Sequence, residues 1–168
     1  RFLDTLELTL SYPKNQALFI CKDPKEQKEL RKLKVISVDG HKLPWKKNMR
    51  LLGVEFASSL SAKAHVDNVV KKARVRISQF NMIATKEWGA GYATLRITYM
   101  QYILPVLTYA AAAFWAGCAP TYRDRLRAVH HAGCRIITGC LYPTDINSLL
   151  LEANLQPLDY YMELETTK

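Results

Sequence analysis

ITYMQYILPVLTYAAAAFWAGCAPTY, residues 97–122, runs without one charged side chain between Arg96 and Arg123. It contains Pro105, the four alanines Ala110 to Ala113 and the aromatic pair Phe114–Trp115. About 20 apolar residues suffice to cross a bilayer, so length alone makes it a candidate membrane span. Its content argues otherwise, because Thr98, Gln101, Pro105, Thr108 and Gly117 leave no run of about 18 strongly apolar residues. The alanines suit close helix packing, since a methyl side chain admits a neighbouring helix. The stretch therefore reads as the central buried helix of a helical domain. Pro105 should kink it, since its ring removes an i to i−4 hydrogen bond. Leu104, Leu107, Ala111 and Trp115 are expected to pack against the helices on either side.

Upstream, the pattern is short-stranded. Leu6–Ser11 alternates apolar and polar residues, Tyr12 to Asn15 is a turn, and Gln16–Cys21 reads as the returning strand. Lys22–Lys34 is charge-rich with little to bury, an exposed loop or one marginal helix turn. Val35–Val38 is a third strand, closed by Asp39-Gly40. Met49–Phe56 is a fourth, in which Gly53 suggests a bulge or close backbone approach.

The period then changes. After Ser61, a plausible N-cap, Val66, Val69, Val70, Ala73, Ile77, Phe80 and Ala84 recur at helical steps. That helix stops near Trp88-Gly89-Ala90-Gly91, and a second begins around Tyr92. Pro120 and Thr121 start a third, with Leu126, Val129, Gly133, Ile136, Ile137 and Cys140 on its inner face. Thr144 caps a fourth, and Pro157 opens a short fifth. There is no internal repeat or coiled-coil heptad. The expected fold is α+β, mostly α: a short antiparallel β segment over residues 1–58, then a bundle of four to five helices over 59–168.

The 168 residues carry 24 Lys/Arg against 15 Asp/Glu, a formal charge of +9 and a pI near 9.4. This favours a polyanionic partner, nucleic acid ahead of a membrane surface. From Lys14 to Lys86 there are 17 bases against six acids, whereas Gly139 to Lys168 holds five acids and one base. The basic footprint thus belongs to the first half. Cys21, Cys118, Cys134 and Cys140 make no disulfide framework, which fits a reducing intracellular compartment. The chain opens Arg1-Phe2-Leu3-Asp4 without Met or a leader pattern and is expected to be cut from something longer.

Lys63, Lys71, Lys72, Arg74 and Arg76 lie outside the apolar stripe of the first helix, opposed only by Asp67. Cations at this density suit phosphate contacts, which supply affinity without sequence readout. A merely solvated face usually mixes signs for i to i+4 pairing. Arg123, Arg127, His131 and Arg135 follow at four-residue spacing, a row that could track a backbone or equally form the outer face of a bundle helix. Trp45, Trp88 and Trp115 read as core. Cys118, His130, His131, Cys134 and Cys140 fit no common closed zinc spacing, so no metal is expected. No glycine-rich phosphate loop or nucleophile elbow is present, and Asp4, Glu7, Asp23 and Asp39 are scattered. No cofactor or catalytic residue is assigned.

Several ordered blocks resemble the C-terminal part of a non-LTR (LINE-type) retrotransposon reverse transcriptase. Leu8-Thr9-Leu10-Ser11, Lys14-Asn15 and Leu18-Phe19 are similar to the last palm strands, where the family usually has Lys-Thr. Arg50-Leu51-Leu52-Gly53-Val54 resembles its Y-L-G-V strand, with Ala64-His65-Val66-Asp67 opening the next helix. Trp88-Gly89-Ala90 and Tyr102 to Ala110 (YILPVLTYA) are similar to its W-G-A and "hxLPVLxYGA" blocks, with Ala110 where Gly is common. His131 to Cys140 resembles its "R-x-x-R-I-I-T-G" helix, and Leu150 to Leu158 fits its closing block. The variants look most like ingi-type elements of trypanosomatids.

The resemblance implies the end of the palm, the thumb and the helices beyond. The family's thumb grips the template–primer duplex, so RNA or an RNA–DNA duplex is the implied partner. The family's Y-x-D-D aspartates lie upstream, nothing here matches them, and this segment alone should not polymerise. The departures at Asn15, Leu51 and Ala110 also admit a domesticated module, a structural or assembly subunit of a ribonucleoprotein in the nucleus, cytoplasm or mitochondrion.

Overall fold

In the computed structural model the chain divides by its internal contacts into two units, Arg1–Ser61 and Ala62–Lys168. The structure describes residues 15–21, 23–33, 36–38, 40–85 and 89–167. The expected Leu6–Ser11 strand, Asp39 and Trp88 lie outside them. The fold is α+β and mostly α.

In the first unit, β1 (Ala17–Leu18) pairs with β4 (Trp45–Lys46), β2 (Ser37–Val38) with β3 (His41–Lys42), and β5 (Asn48–Leu51) with β6 (Val54–Ala57). The last two pairs are antiparallel as expected, but β1 and β4 run parallel. Parallel strands need a crossover, usually helical. The connection holds α1 (Pro24–Leu33) and the β2–β3 pair, and α1 is longer than the exposed loop or single marginal helix turn expected there. Asp23 starts that helix by accepting from the Lys25 N–H at 2.8 Å, and Pro24 takes the first helical position. Met49–Phe56 is likewise not one strand. Leu52 and Gly53 both adopt positive φ, +48° and +87°, and turn it into a hairpin of the type I′ kind. Phe19 meets Trp45 edge to face at 6.3 Å.

The second unit is a bundle. Helix α2 (Lys63–Met82) buries Val66, Val69, Val70, Ala73 and Phe80 of the expected stripe and partly buries Ile77; it ends before Ala84, earlier than the sequence suggests. Its N-cap position is Ala62, without a side-chain cap, one residue beyond Ser61. Next, α3 (Tyr92–Thr98) passes into a π-helical turn (Tyr99–Ile103) and then α4 (Leu104–Thr108). The sequence predicts a disturbance at Pro105, and the chain widens one turn before it. Pro105 cannot donate a backbone N–H, and the Leu104 N–H reaches back five residues to the Tyr99 carbonyl.

Ala110, at φ +56°, breaks the helix before α5 (Ala111–Phe114). Helix α6 (Pro120–Thr138) follows and ends on Gly139 at φ +71°. The last two helices are α7 (Ile146–Glu152) and α8 (Leu158–Thr166). Asp145 rather than Thr144 caps α7, accepting from the N–H groups of Asn147 and Ser148 at 2.9 and 3.2 Å.

Tyr99, Ile103, Leu107, Ala111 and Trp115 recur every fourth residue, and all are buried. Four-residue steps drift round an α-helix of 3.6 residues per turn; the wider π turn counters that drift. By length and composition alone, the run Tyr92–Phe114 is long and apolar enough to cross a bilayer, at a mean hydropathy of 1.2. Counting polar residues missed this, because a window average lets Ile103, Leu104, Val106 and Leu107 outweigh Thr98 and Gln101. Within the bundle a third of that window is buried, and the run packs on α2 and α6.

One polar junction lies inside this core. The Tyr99 hydroxyl donates to His130 Nδ1 at 2.6 Å, and His130 Nε2–H donates to the Gln156 carbonyl at 3.0 Å. His130 is fully buried, which lowers its pKa to about 4. Gly133, one turn along α6, lies beneath the ring; a Cβ there would stand 2.2 Å from Tyr99 Cε2.

Two backbone positions set opposite stability predictions. Ala110→Gly relieves a left-handed alanine and should stabilise the chain by about 1 kcal/mol. Gly133→Ala drives a methyl into Tyr99 and should cost up to roughly 3 kcal/mol. Urea unfolding of both variants checks the pair. The junction also fixes a pH response. Below about pH 6.5 the unfolded chain binds a proton at His130 that the folded chain refuses. Stability is therefore full above that pH and falls by up to about 1.4 kcal/mol per unit as pH drops towards 4. His131, lowered by burial and by Arg135 and Arg127, adds in the same direction. Asp159, held low by Arg127, acts only below the ordinary carboxylate range, near 3.8. Urea titrations at pH 7.5 and 5 should show the loss, and His130→Gln should flatten it.

Candidate nucleic-acid interface

The five cations of α2 do not form one stripe. Lys63 and Arg74 stand eleven residues apart, a spacing that closes three helical turns, and share a flank with Asp67. Asp67 is engaged by Arg125 of α6 at 2.5 Å, so its charge is partly met from the neighbouring helix. Arg125, 42% exposed, adds a base to this flank that sequence reading did not single out. Its position beside α2 follows from tertiary packing and left no local signal.

Lys71, Lys72 and Arg76 fan round the side of α2, from Lys71, one turn after Asp67, to Arg76. With Asn68, Val75, Gln79 and Tyr102 they line a groove of about 520 Å³ between α2 and the π turn. Lys71 and Lys72 are exposed. Arg76 is half-buried: its guanidinium lies 4.5 Å from the centroid of the Tyr102 ring and donates to the Tyr102 carbonyl. The Tyr102 hydroxyl donates to Gln79 Oε1 at 2.6 Å, which fixes the ring. Sequence reading assigned Tyr102 no role. On a regular helix an aromatic three residues after the buried Tyr99 shares its face, so spacing gave no signal that Tyr102 would line a groove.

The α6 row has the expected spacing but is committed within the fold. Arg123 stacks on Trp115 at 4.6 Å and donates to its carbonyl at 2.9 Å. Arg127 forks onto Asp159 at 2.8 and 2.6 Å and also reaches Asp124 at 2.6 Å. The Asp159 carboxylate is the main cause that raises Arg127's pKa, and Arg127 in turn holds Asp159 low. Arg135 lies 5.1 Å from the Tyr142 ring centroid and donates to the Tyr142 carbonyl at 3.4 Å. Three arginines offered as secondary phosphate contacts therefore brace α6 against the α5 end, α8 and the 139–144 loop. The groove is the better equipped surface.

The residues weighed for zinc have other partners or pack in the core. His130 is occupied on both ring nitrogens, and burial raises the Cys134 thiol to about 12. Among the described residues no group of three or more His, Cys, Asp or Glu is placed to hold a metal ion. Trp115 is buried as expected and Trp45 half-buried.

Over 133 residues, 79% of its length, the chain is 26% identical to a Retrovirus-related Pol polyprotein from type-1 retrotransposable element R1 4 of Nasonia vitripennis. The chain spans about a third (34%) of that relative's length. No family model matches the sequence, and no solved structure matches it. The likeness supports a protein related to non-LTR retrotransposons.

Proposed function

We propose that the chain is a thumb-like segment of a retroelement reverse transcriptase, following the end of the palm, that grips template–primer without carrying the catalytic aspartates. The observation that carries this reading is the α2 groove, where Lys71, Lys72 and Arg76 converge beside an outward aromatic. Ammonium groups on an exposed helix flank meet phosphates with little cost of desolvation. Lys63 and Arg74 extend the positive surface beside Asp67, whose charge Arg125 offsets. Arg123, Arg127 and Arg135 contribute through the long-range field, since their guanidiniums are already engaged. RNA or an RNA–DNA duplex is the partner proposed.

Relationship to a Pol polyprotein favours this over a free-standing ribonucleoprotein subunit. The narrower likeness to ingi-type elements rests on the residue variants alone.

Lys71→Glu with Lys72→Glu leaves every core contact intact and should weaken binding of a short RNA–DNA duplex by about tenfold or more. The slope of log affinity against log salt should flatten by about 2, roughly one for each phosphate that is no longer neutralised. Unchanged affinity and slope across a salt titration would overturn the proposal.

A further inference from the structure

The geometry points to a second recognition mode in the same groove: we infer that Arg76, backed by Tyr102, is a stacking platform for one unpaired nucleobase. This rests on the reading of the groove as a nucleic-acid surface, but it does not follow from that reading. Phosphate contact needs only cations, and Lys71 and Lys72 supply them. Arg76 is built differently. One face of its guanidinium is taken by the Tyr102 ring at 4.5 Å, and its edge donates to the Tyr102 carbonyl. The ring is itself fixed by the bond from its hydroxyl to Gln79 Oε1 at 2.6 Å.

A long side chain that normally samples many rotamers is thereby held as a flat plate. Since Arg76 lines the groove and is half-buried, the face away from Tyr102 is the one that a planar base can meet. The groove, about 520 Å³, is in the range of small-ligand pockets and can admit a single base.

The chemistry names the ligand class. Bases inside a duplex are stacked on one another and cannot lie on such a plate; a base at a single-stranded overhang can. Lys71 and Lys72 then flank the base where its phosphates would run. Gln79 accepts from Tyr102 through Oε1, so its amide nitrogen is the end left to donate to a base edge. Asn68, also on the groove wall, adds a second amide. The ligand is thus single-stranded nucleic acid, or the unpaired end of a duplex, without strong sequence preference.

The test compares the 168-residue chain with Arg76→Lys, which keeps the charge and a donor but loses the plane. Each protein is titrated with a blunt RNA–DNA duplex and with the same duplex carrying a single-stranded overhang that contains 2-aminopurine. The native chain should prefer the overhang and change the probe's fluorescence on binding. Arg76→Lys should lose about tenfold in overhang affinity, the effect of one base stack, with blunt-duplex affinity held within about twofold. Tyr102→Leu removes the ring that backs the guanidinium and should lose the overhang preference in the same way, with blunt-duplex affinity held, which separates stacking from a general loss of fold.

Equal loss on both ligands, or no loss on either, would overturn the platform. The charge reversal at Lys71 and Lys72 keeps the two failures apart. If it weakens duplex binding while Arg76→Lys leaves the overhang preference intact, the platform alone is wrong. If neither set of variants changes binding of any nucleic acid, the reading of the groove itself is wrong.

Discussion

The Tyr99 ring lies across Gly133 of α6 and its hydroxyl donates a hydrogen bond to His130 Nδ1, while His130 Nε2–H donates to the Gln156 carbonyl. In a core that is mostly apolar, this chain of polar groups has a partner at each step. Buried polar groups cost little when fully paired and several kcal/mol when not, so the junction admits only one relative placement of its three segments. Glycine at 133 lets the π turn approach α6 closely enough for the bond to form. Three residues beyond Tyr99 in that same turn stands Tyr102, whose ring and carbonyl hold Arg76. The groove on the outer side of α2 is in this sense a consequence of the junction on its inner side.

The charges divide by the same logic. On α6 the arginines are spent on Trp115, Asp159 and Tyr142, and they bind the bundle together. On α2 the lysines project to solvent. A guanidinium is planar and forks onto carboxylates or lies on rings, so it serves internal contacts well. An ammonium on a flexible stem is the better mobile counter-charge for a phosphate. Net charge alone would have weighted the two helices alike.

Much of the bundle was legible. Apolar periodicity fixed the buried faces of α2 and α6, because burial dictates spacing whatever the neighbours are. The packing of Leu104, Leu107, Ala111 and Trp115 followed from the uncharged stretch in the same way. Helix α1 was read as a loop or at most one turn because its composition gave little to bury, although Asp23-Pro24 carried the starting signal. The hairpin at Leu52-Gly53 was missed because leucine rarely takes a positive φ, so only the glycine was read. Pro105 announced a disturbance but not its form, and Tyr102 lies within the π turn that precedes it. The site was only half legible. Spacing tells which side chains share a face, while the partners of Arg127 and Arg125 lie 32 and 58 residues away. It took the fold to separate the braced arginines from the open lysines.

Lysine acetylation footprinting, read by mass spectrometry with and without an RNA–DNA duplex bearing an overhang, tests the central claim most directly. The account predicts that bound nucleic acid protects Lys71 and Lys72 from the reagent. Equal labelling of Lys71 and Lys72 in the free and bound chain, at concentrations where binding is saturated, would contradict it.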